Sequence, residues 1–440
     1  MAVGSLFIIL FIMLLIGVPV GFAIGGATML SMWFFSDLNM VINAQYAYSG
    51  ISSFTVMAIP FFMLAGSIMS TGGIARRIVN FAAALIDFVT GALGSVAILS
   101  CMFFGALCGS GMATTSAIGG MMIPEMTKKG YPPEYAATLV CFGGIIGPII
   151  PPSLSFVLYG AATGVTVPQL FLAGVLPGIL IGVVFIAFNT IICKKRGIDL
   201  ASSHGEMVGG EIKKVPIGQA LKARGKKVWI SLKDGIWALL SPLIILGGIY
   251  SGVFTPTEAA CISVVYSALI SLFLYKDMDI KDLYYTVLDS AVLNGITSFL
   301  LGYSTVFSTY MTFAKVPQMI TVFLTEVSDN PMVVLLFINL ILLAVGLFLD
   351  TVPAIIVMAP MLLPTVKALG INPIHFGVIM AVNLAIGLCT PPYGCNLFVG
   401  AAVAKIKLES MFKDIIPYFI ASLVALALIT YVPWLSLALL

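Results

Sequence analysis

The sequence predicts an all-α polytopic membrane protein built as an inverted repeat, with two re-entrant hairpins and two helices broken inside the membrane. Three observations carry that reading. The 440-residue chain is 60% hydrophobic and 9% charged, with a mean hydropathy of +1.13, whereas roughly a quarter of residues are charged in soluble domains. The segment Gly147-Pro148-Ile149-Ile150-Pro151-Pro152 returns as Gly387-Leu388-Cys389-Thr390-Pro391-Pro392, an offset of 391 − 151 = 240 residues. Pro124 and Pro364, Gly130 and Gly370, Pro133 and Pro373, and Pro177 and Pro417 keep that offset, and so long a period means paired halves and not a solenoid. Last, basic residues occupy complementary loops in the two halves. Arg76, Arg77, Lys128 and Lys129 carry the charge in the first, and Lys405, Lys407 and Lys413 in the second, so equivalent loops face opposite sides of the membrane.

The elements follow in order. Ser5 to Phe35 reads as a tight pair of apolar helices turning near Gly17 to Pro19, retained because no basic segment precedes it and no small-residue cleavage site follows. Phe54 to Ser70 ends at a Gly72-Gly73 turn, and Ile74 to Thr90 alternates charged and apolar residues like an interfacial arm. Gly91 to Met126 starts and ends beside cytoplasmic charge and carries Gly109-Ser110-Gly111 in its middle, the pattern of a re-entrant hairpin. Tyr135 to Ala162 is a helix broken at the proline cluster, and Pro168 to Cys193 returns to the cytoplasm.

Ten of the 21 basic residues lie between Lys194 and Asp234, which makes this central stretch cytoplasmic. The domains expected are a first repeat over 1–193, a basic linker over 194–228 and a second repeat over 229–440. The second half repeats the pattern upside down: Trp229 to Tyr250, Thr257 to Tyr275, Tyr285 to Met311, an arm from Pro317 to Val327, a hairpin from Pro331 to Leu363 with its tip near Asp350-Thr351, a broken helix from Pro373 to Ala402, and a final span.

Proline removes its own N–H and displaces the carbonyl four residues earlier. Pro148, Pro151 and Pro152 therefore free the carbonyls of Gly144, Gly147 and Pro148, and Pro391 and Pro392 free those of Gly387 and Leu388. Bare carbonyls at membrane depth are hard ligands for a small cation, and glycine lets backbone approach closely. Pairing each break with its own hairpin tip gives two candidate Na⁺ cages. One uses Ser110, Gly143, Ile146 and Pro148, with Thr114 as a further candidate; the other uses Thr351, Asn383, Gly387 and Thr390. The alternative is a pair of structural kinks satisfied by neighbouring Ser and Thr.

Ser153 and Ser155 follow the first break and Asn396 the second, where free N–H groups and the helix dipole attract a carboxylate. Asp350 is an acid inside a membrane hairpin, functional by default, or an N-cap for the returning helix. Thr255-Pro256-Thr257-Glu258 reads as a structural capping box. Asp87 and Asp289 are placed at interfaces and given no chemistry. With no arginine in the membrane interior, an anionic substrate would be held by helix ends, hydroxyls and Lys315.

Other classes lack support. Seven cysteines form no CxxC pair, only His204 and His375 are available as imidazole ligands, and no nucleotide motif or paired-carboxylate constellation is present. An enzyme and nucleic-acid binding are therefore set aside, and matched broken helices favour a carrier over a passive channel.

With hairpins, inverted halves, the GPxxPP and GLxTPP breaks and the arm starting at Ile74-Ala75-Arg76-Arg77, the chain resembles the large membrane subunit of TRAP transporters, the tripartite ATP-independent periplasmic family. The resemblance covers essentially the whole length. It implies the ion transporter superfamily, an elevator mechanism driven by Na⁺ as coupling ion with no cofactor, and residence in the bacterial inner membrane. It also implies two partners besides the lipid bilayer: a small four-helix membrane subunit and a periplasmic binding protein that captures a carboxylate. The chain lacks the extra N-terminal helices of fused members, so the small subunit is expected as a separate polypeptide. In sialic-acid members a hairpin Ser, a Ser after the first break and an Asp in the second hairpin are implicated in transport; they look like Ser110, Ser155 and Asp350 here. The expected cargo is sialic acid or a C4-dicarboxylate-like acid. The alternative is a standalone Na⁺-coupled carboxylate carrier of the same superfamily that needs no binding protein.

Overall fold

The structure, a computed structural model, describes residues 2–36, 38–86, 89–198, 206–208, 211–213, 217–328 and 330–440. Asp87, His204 and much of the central basic stretch lie outside them. Apart from a short antiparallel ribbon over Glu206–Val208 and Glu211–Lys213, the described chain is helical. Among the described residues, seven helices are long and apolar enough to cross a membrane, as the composition requires of a polytopic protein.

The first half opens with α1 (Ala2–Leu15) and α2 (Val20–Phe35), joined at Gly17, whose φ of +82° suits a residue without Cβ. Next come α3 (Val41–Ile51) and α4 (Ala58–Thr71). The arm α5 (Ile74–Ile86) leaves α4 at 70°. It buries Ile74, Ala75, Ile78 and Ala82, one helical face. The hairpin is α6 (Ala92–Cys108) and α7 (Gly111–Lys128); the broken helix is α8 (Pro133–Gly144) and α9 (Leu154–Thr163); α10 (Val167–Arg196) closes the half.

The second half has α11 (Ile217–Tyr250), α12 (Pro256–Leu269) with a π-helical extension over Ile270–Tyr275, and the 34-residue α13 (Ile280–Phe313). The arm α14 (Val316–Val327), the hairpin α15 (Pro331–Phe348) and α16 (Thr351–Ala368), the broken helix α17 (Pro373–Gly387) and α18 (Cys395–Ala404), α19 (Phe412–Tyr431) and a final turn α20 (Trp434–Leu437) follow. Helix thus occupies both ends of the 194–228 stretch, through Arg196 and from Ile217. The Thr255 capping box is present, with the Thr255 hydroxyl accepting from Glu258 N–H and Glu258 accepting from Thr255 N–H.

The 240-residue offset fixes the elements. Adding 240 to α7 (111–128) gives 351–368, the bounds of α16, and adding it to α6 (92–108) gives 332–348, within one residue of α15. One helix was missed: α3, whose residues map to 281–291, the first third of α13. The second half keeps as one rod what the first half divides between α3 and α4.

Packing sorts the helices into two bodies. α2, α3 and α4 line up against α13, and α4 packs on α12. The hairpins and broken helices form the other body, and there the halves interlock: α9 packs on α16 and α18 on α7. Within it, Tyr135, Asn189 and Tyr418 form a buried polar cluster. Tyr135 Oη is 3.0 Å from Asn189 Oδ1 and 2.9 Å from Tyr418 Oη, while Asn189 Nδ2 donates to the Gly91 carbonyl at 2.8 Å. Arg196 pairs with the buried Asp414, tying α10 to α19. Arg76 and Arg77 both pair with Asp277, and the Arg77 guanidinium lies 3.5 Å from the Tyr275 ring centre, pinning the arm to the end of the π-helical segment.

Candidate functional site

Each hairpin tip is a helix end followed at once by a helix start. In the first, Gly109 takes φ +62° after α6, and Ser110 N-caps α7 by accepting from the Ala113 N–H at 3.5 Å. A Cβ on Gly109 would lie 2.6 Å from the Pro152 carbonyl, so the tip rests directly on the first break. In the second, Asp350 N-caps α16, its Oδ1 accepting from the Thr351 N–H at 2.6 Å.

Ser110 and Asp350 line one cavity of about 380 Å³. Its opposite wall comes from α4, through Ser67 and Thr71, and from α13, through Thr286, Asp289 and Ser290. A second cavity of about 410 Å³ is lined by Ser49 and Ser53, by Thr305, Ser308 and Thr312 of α13, and by parts of α9 and α16. Both lie between the two bodies. Residues 286–297 and 301–312 of α13 wall one cavity each.

The first break gathers oxygen around a glycine. α6 crosses it so closely that a Cβ on Gly105 would lie 2.7 Å from Gly147 Cα. A Cβ on Gly147 would lie 2.8 Å from the Ser110 carbonyl oxygen and 2.9 Å from Thr114 Oγ1, so both groups face the break. Thr114 is fully buried and donates to the Ser110 carbonyl at 2.8 Å. The carbonyls of Gly143 and Ile146 accept turn bonds from Ile146 N–H and Ile149 N–H, and Pro148 accepts from the Ser153 hydroxyl. Among the described residues no hydrogen bond reaches the Gly147 carbonyl, because its helical partner would be Pro151, which has no N–H. The sequence names Gly147 as freed and leaves it out of the cage; the geometry sets Gly147 against the Ser110 carbonyl and Thr114 Oγ1.

The second group is less gathered. A Cβ on Gly387 would lie 2.6 Å from the Gly346 backbone, so the last turn of α15 touches this break much as the last turn of α6 touches the first. Thr351 bonds Asp350, and Thr390 donates to the Ile386 carbonyl at 3.0 Å. Asn383 turns toward α15, its Nδ2 donating to Asn339 Oδ1 at 2.8 Å and leaving Asn383 Oδ1 buried without a partner. The Gly387 and Leu388 carbonyls accept from Thr390 N–H and Asn396 N–H, at 3.0 Å each.

Of the residues read as substrate ligands, Ser110 and Asp350 share the cavity, whereas Ser153, Ser155 and Asn396 are buried and line neither cavity. Ser153 caps α9, accepting from the Phe156 N–H at 3.4 Å. Asn396 reaches across to the other half, donating from Nδ2 to the Cys141 carbonyl at 3.1 Å. Lys315 begins α14 with φ +57° and lines neither cavity. Sequence reasoning missed the opposite wall: Thr286, Asp289 and Ser290 stand at i, i+3 and i+4 on one face of a membrane-spanning helix, and an acid on that polar face was the available signal.

Known proteins share the family and the fold of this chain. The chain is 40% identical to the C4-dicarboxylate TRAP transporter large permease protein DctM of Pseudomonas aeruginosa, over 88% of this chain and 86% of that one. It is 34% identical to the sialic acid TRAP transporter large permease protein SiaM of Vibrio cholerae, over 97% and 96%. Its fold is similar to the crystal structure of the Alcanivorax borkumensis YdaH transporter, with a TM-score of 0.58 at 13% identity, covering 89% of this chain and 88% of that one. The family described as "Tripartite ATP-independent periplasmic transporter, DctM component" matches residues 7–435, and the chain belongs to it.

Proposed function

We propose that this chain is the transport path of a Na⁺-coupled, binding-protein-dependent importer of a carboxylate, C4-dicarboxylate-like or sialic-acid-like, in the bacterial inner membrane. A small four-helix membrane subunit and a periplasmic binding protein complete the system. The observation that carries this reading is the single cavity that collects both hairpin tips, Ser110 and Asp350, against α4 and α13. Beside it, the unbonded Gly147 carbonyl, the Ser110 carbonyl and Thr114 Oγ1 supply hard oxygens for Na⁺. A cation there would tie the first tip to the first break, ordering the N-terminus of α7 for an anionic group.

In the elevator reading, the body of hairpins and broken helices moves against α2–α4 and α13, so that Ser110 and Asp350 face one cavity and then the other. Asp350 then meets the hydroxyl or amide groups of the substrate, or the cation, because it would repel the substrate carboxylate. The test is uptake in proteoliposomes containing the chain, its small partner and candidate binding proteins. Uptake is expected to need inward Na⁺ and no ATP. Equal uptake with K⁺ replacing Na⁺ on both sides would refute the coupling, and uptake without any binding protein would favour a standalone carrier.

A further inference from the structure

The two cavities are counterparts under the repeat, and they differ in charge. Subtracting 240 takes Asp289 to Ser49, Ser290 to Gly50 and Leu293 to Ser53; the first of each pair lines the cavity of the hairpin tips, and the second lines the other. Among the described residues, the tip cavity carries two carboxylates, Asp289 and Asp350, and no Lys or Arg, while the other cavity carries no ionisable residue. Asp350 is at the hairpin end and Asp289 lies toward the mouth. One turn before Asp289, Thr286 Oγ1 meets Thr71 Oγ1, 3.4 Å away, at the end of α4. Beyond them lie the Gly72-Gly73 turn, Lys276 and Lys281, on the side that the positive-inside rule makes cytoplasmic. A passage with low-dielectric walls concentrates the field of a lining charge.

We infer that Asp289 makes the cytoplasmic vestibule an anion-repelling, cation-attracting passage, while Ser49 leaves the outer vestibule neutral. A carboxylate already in the cytoplasm re-enters poorly, and Na⁺ is drawn to the same mouth. This consequence rests on the carboxylate reading above; the charge filter itself does not.

The filter is read by thiol labelling in membranes that hold the chain with its small partner, the labelling of the parent chain being subtracted. Leu293→Cys lies one turn deeper than Asp289 on the same wall, and Ser53→Cys is its counterpart. Each is treated with a cationic and an anionic methanethiosulfonate, and the ratio of rates reports local potential. The cation should be favoured at Leu293→Cys by about tenfold, and Asp289→Asn should lower that ratio about threefold or more. At Ser53→Cys the ratio should lie near that of a free thiol and rise about threefold with Ser49→Asp. An unchanged ratio in both pairs overturns the inference, and Ser49→Asp keeps it exposed to refutation if Asp289→Asn folds poorly. In proteoliposomes loaded with succinate or N-acetylneuraminate, Asp289→Asn should lower the internal concentration for half-maximal efflux about threefold. Expected labelling ratios without any Na⁺-driven flux of either acid in the parent would refute the carboxylate reading and leave the filter supported.

Discussion

Ser110 and Asp350 are equivalent residues of the two halves, 350 − 110 = 240, and both cap a returning hairpin helix at the edge of one cavity. One presents a hydroxyl and the other a carboxylate. The repeat thus supplies a shared geometry and the side chains divide the chemistry.

Asp350→Asn keeps a side chain that caps α16 and removes the charge. The variant should remain folded and bound to its small partner while uptake falls at least about tenfold, or roughly 1.4 kcal/mol at the rate-limiting barrier. Initial rates in proteoliposomes decide it, and normal uptake would reduce the carboxylate to a cap.

Ser110→Ala and Thr390→Ala each remove at most one side-chain oxygen near a break. The Na⁺ concentration for half-maximal uptake should rise about threefold or more, close to 0.7 kcal/mol, with docking of the binding protein unchanged. Because Ser110 also caps α7, Ser110→Gly serves as a control that costs the helix only about a few tenths of a kcal/mol. Wild-type Na⁺ dependence in both Ala variants would show that neither hydroxyl is a ligand.

Gly147→Ala tests the first break by volume. Its methyl group would meet the Ser110 carbonyl at 2.8 Å, and the neighbour is backbone that cannot swing aside. Overpacking of this kind costs about 1–3 kcal/mol. We expect the hairpin tip to be pushed off the break, with Na⁺-dependent uptake lost by more than about tenfold. Gly120→Ala, with nothing within 4 Å of its Cβ, should transport normally.

Asp277 gives a pH signature. The hydrogen bond from Arg77, helped by the charges of Arg77 and Arg76, holds its carboxyl below the usual range against a smaller effect of burial. A carboxylate depressed in the folded protein contributes stability that is fully present above its unfolded value, near 3.9, and is lost as pH falls through the folded value. The difference in thermal midpoint between wild type and Asp277→Asn should therefore hold constant from about pH 5 to 8 and vanish only in stronger acid. Melting in detergent across that range measures it; a difference that changes near neutrality would mean another group controls the arm.

Much of this architecture was legible because proline and glycine act locally. Pro151 strips a donor from the chain wherever it sits, so the bare carbonyl of Gly147 follows from the sequence. α3 was not legible, since Val41–Ile51 mixes Asn43, Gln45, Tyr46 and Tyr48 with apolar residues, and no proline marks its separation from α4. Ser153, Ser155 and Asn396 carried the right chemistry at the right distance from each break. Which way a side chain faces depends on how α9 and α18 pack across the halves, and no local pattern encodes that. Asp289 was visible as an acid, but only its neighbours on α4 and the hairpins turn its helix face into a cavity wall.

The undivided α13 has one more consequence. At 34 residues it is about 51 Å long, and it is the wall common to both vestibules, along 286–297 and 301–312. The midpoints of those stretches are 306.5 − 291.5 = 15 residues apart, or roughly 22 Å of helix. On the elevator reading α13 is a track of fixed length, and that spacing caps the stroke by which the hairpin tips can travel between the vestibules.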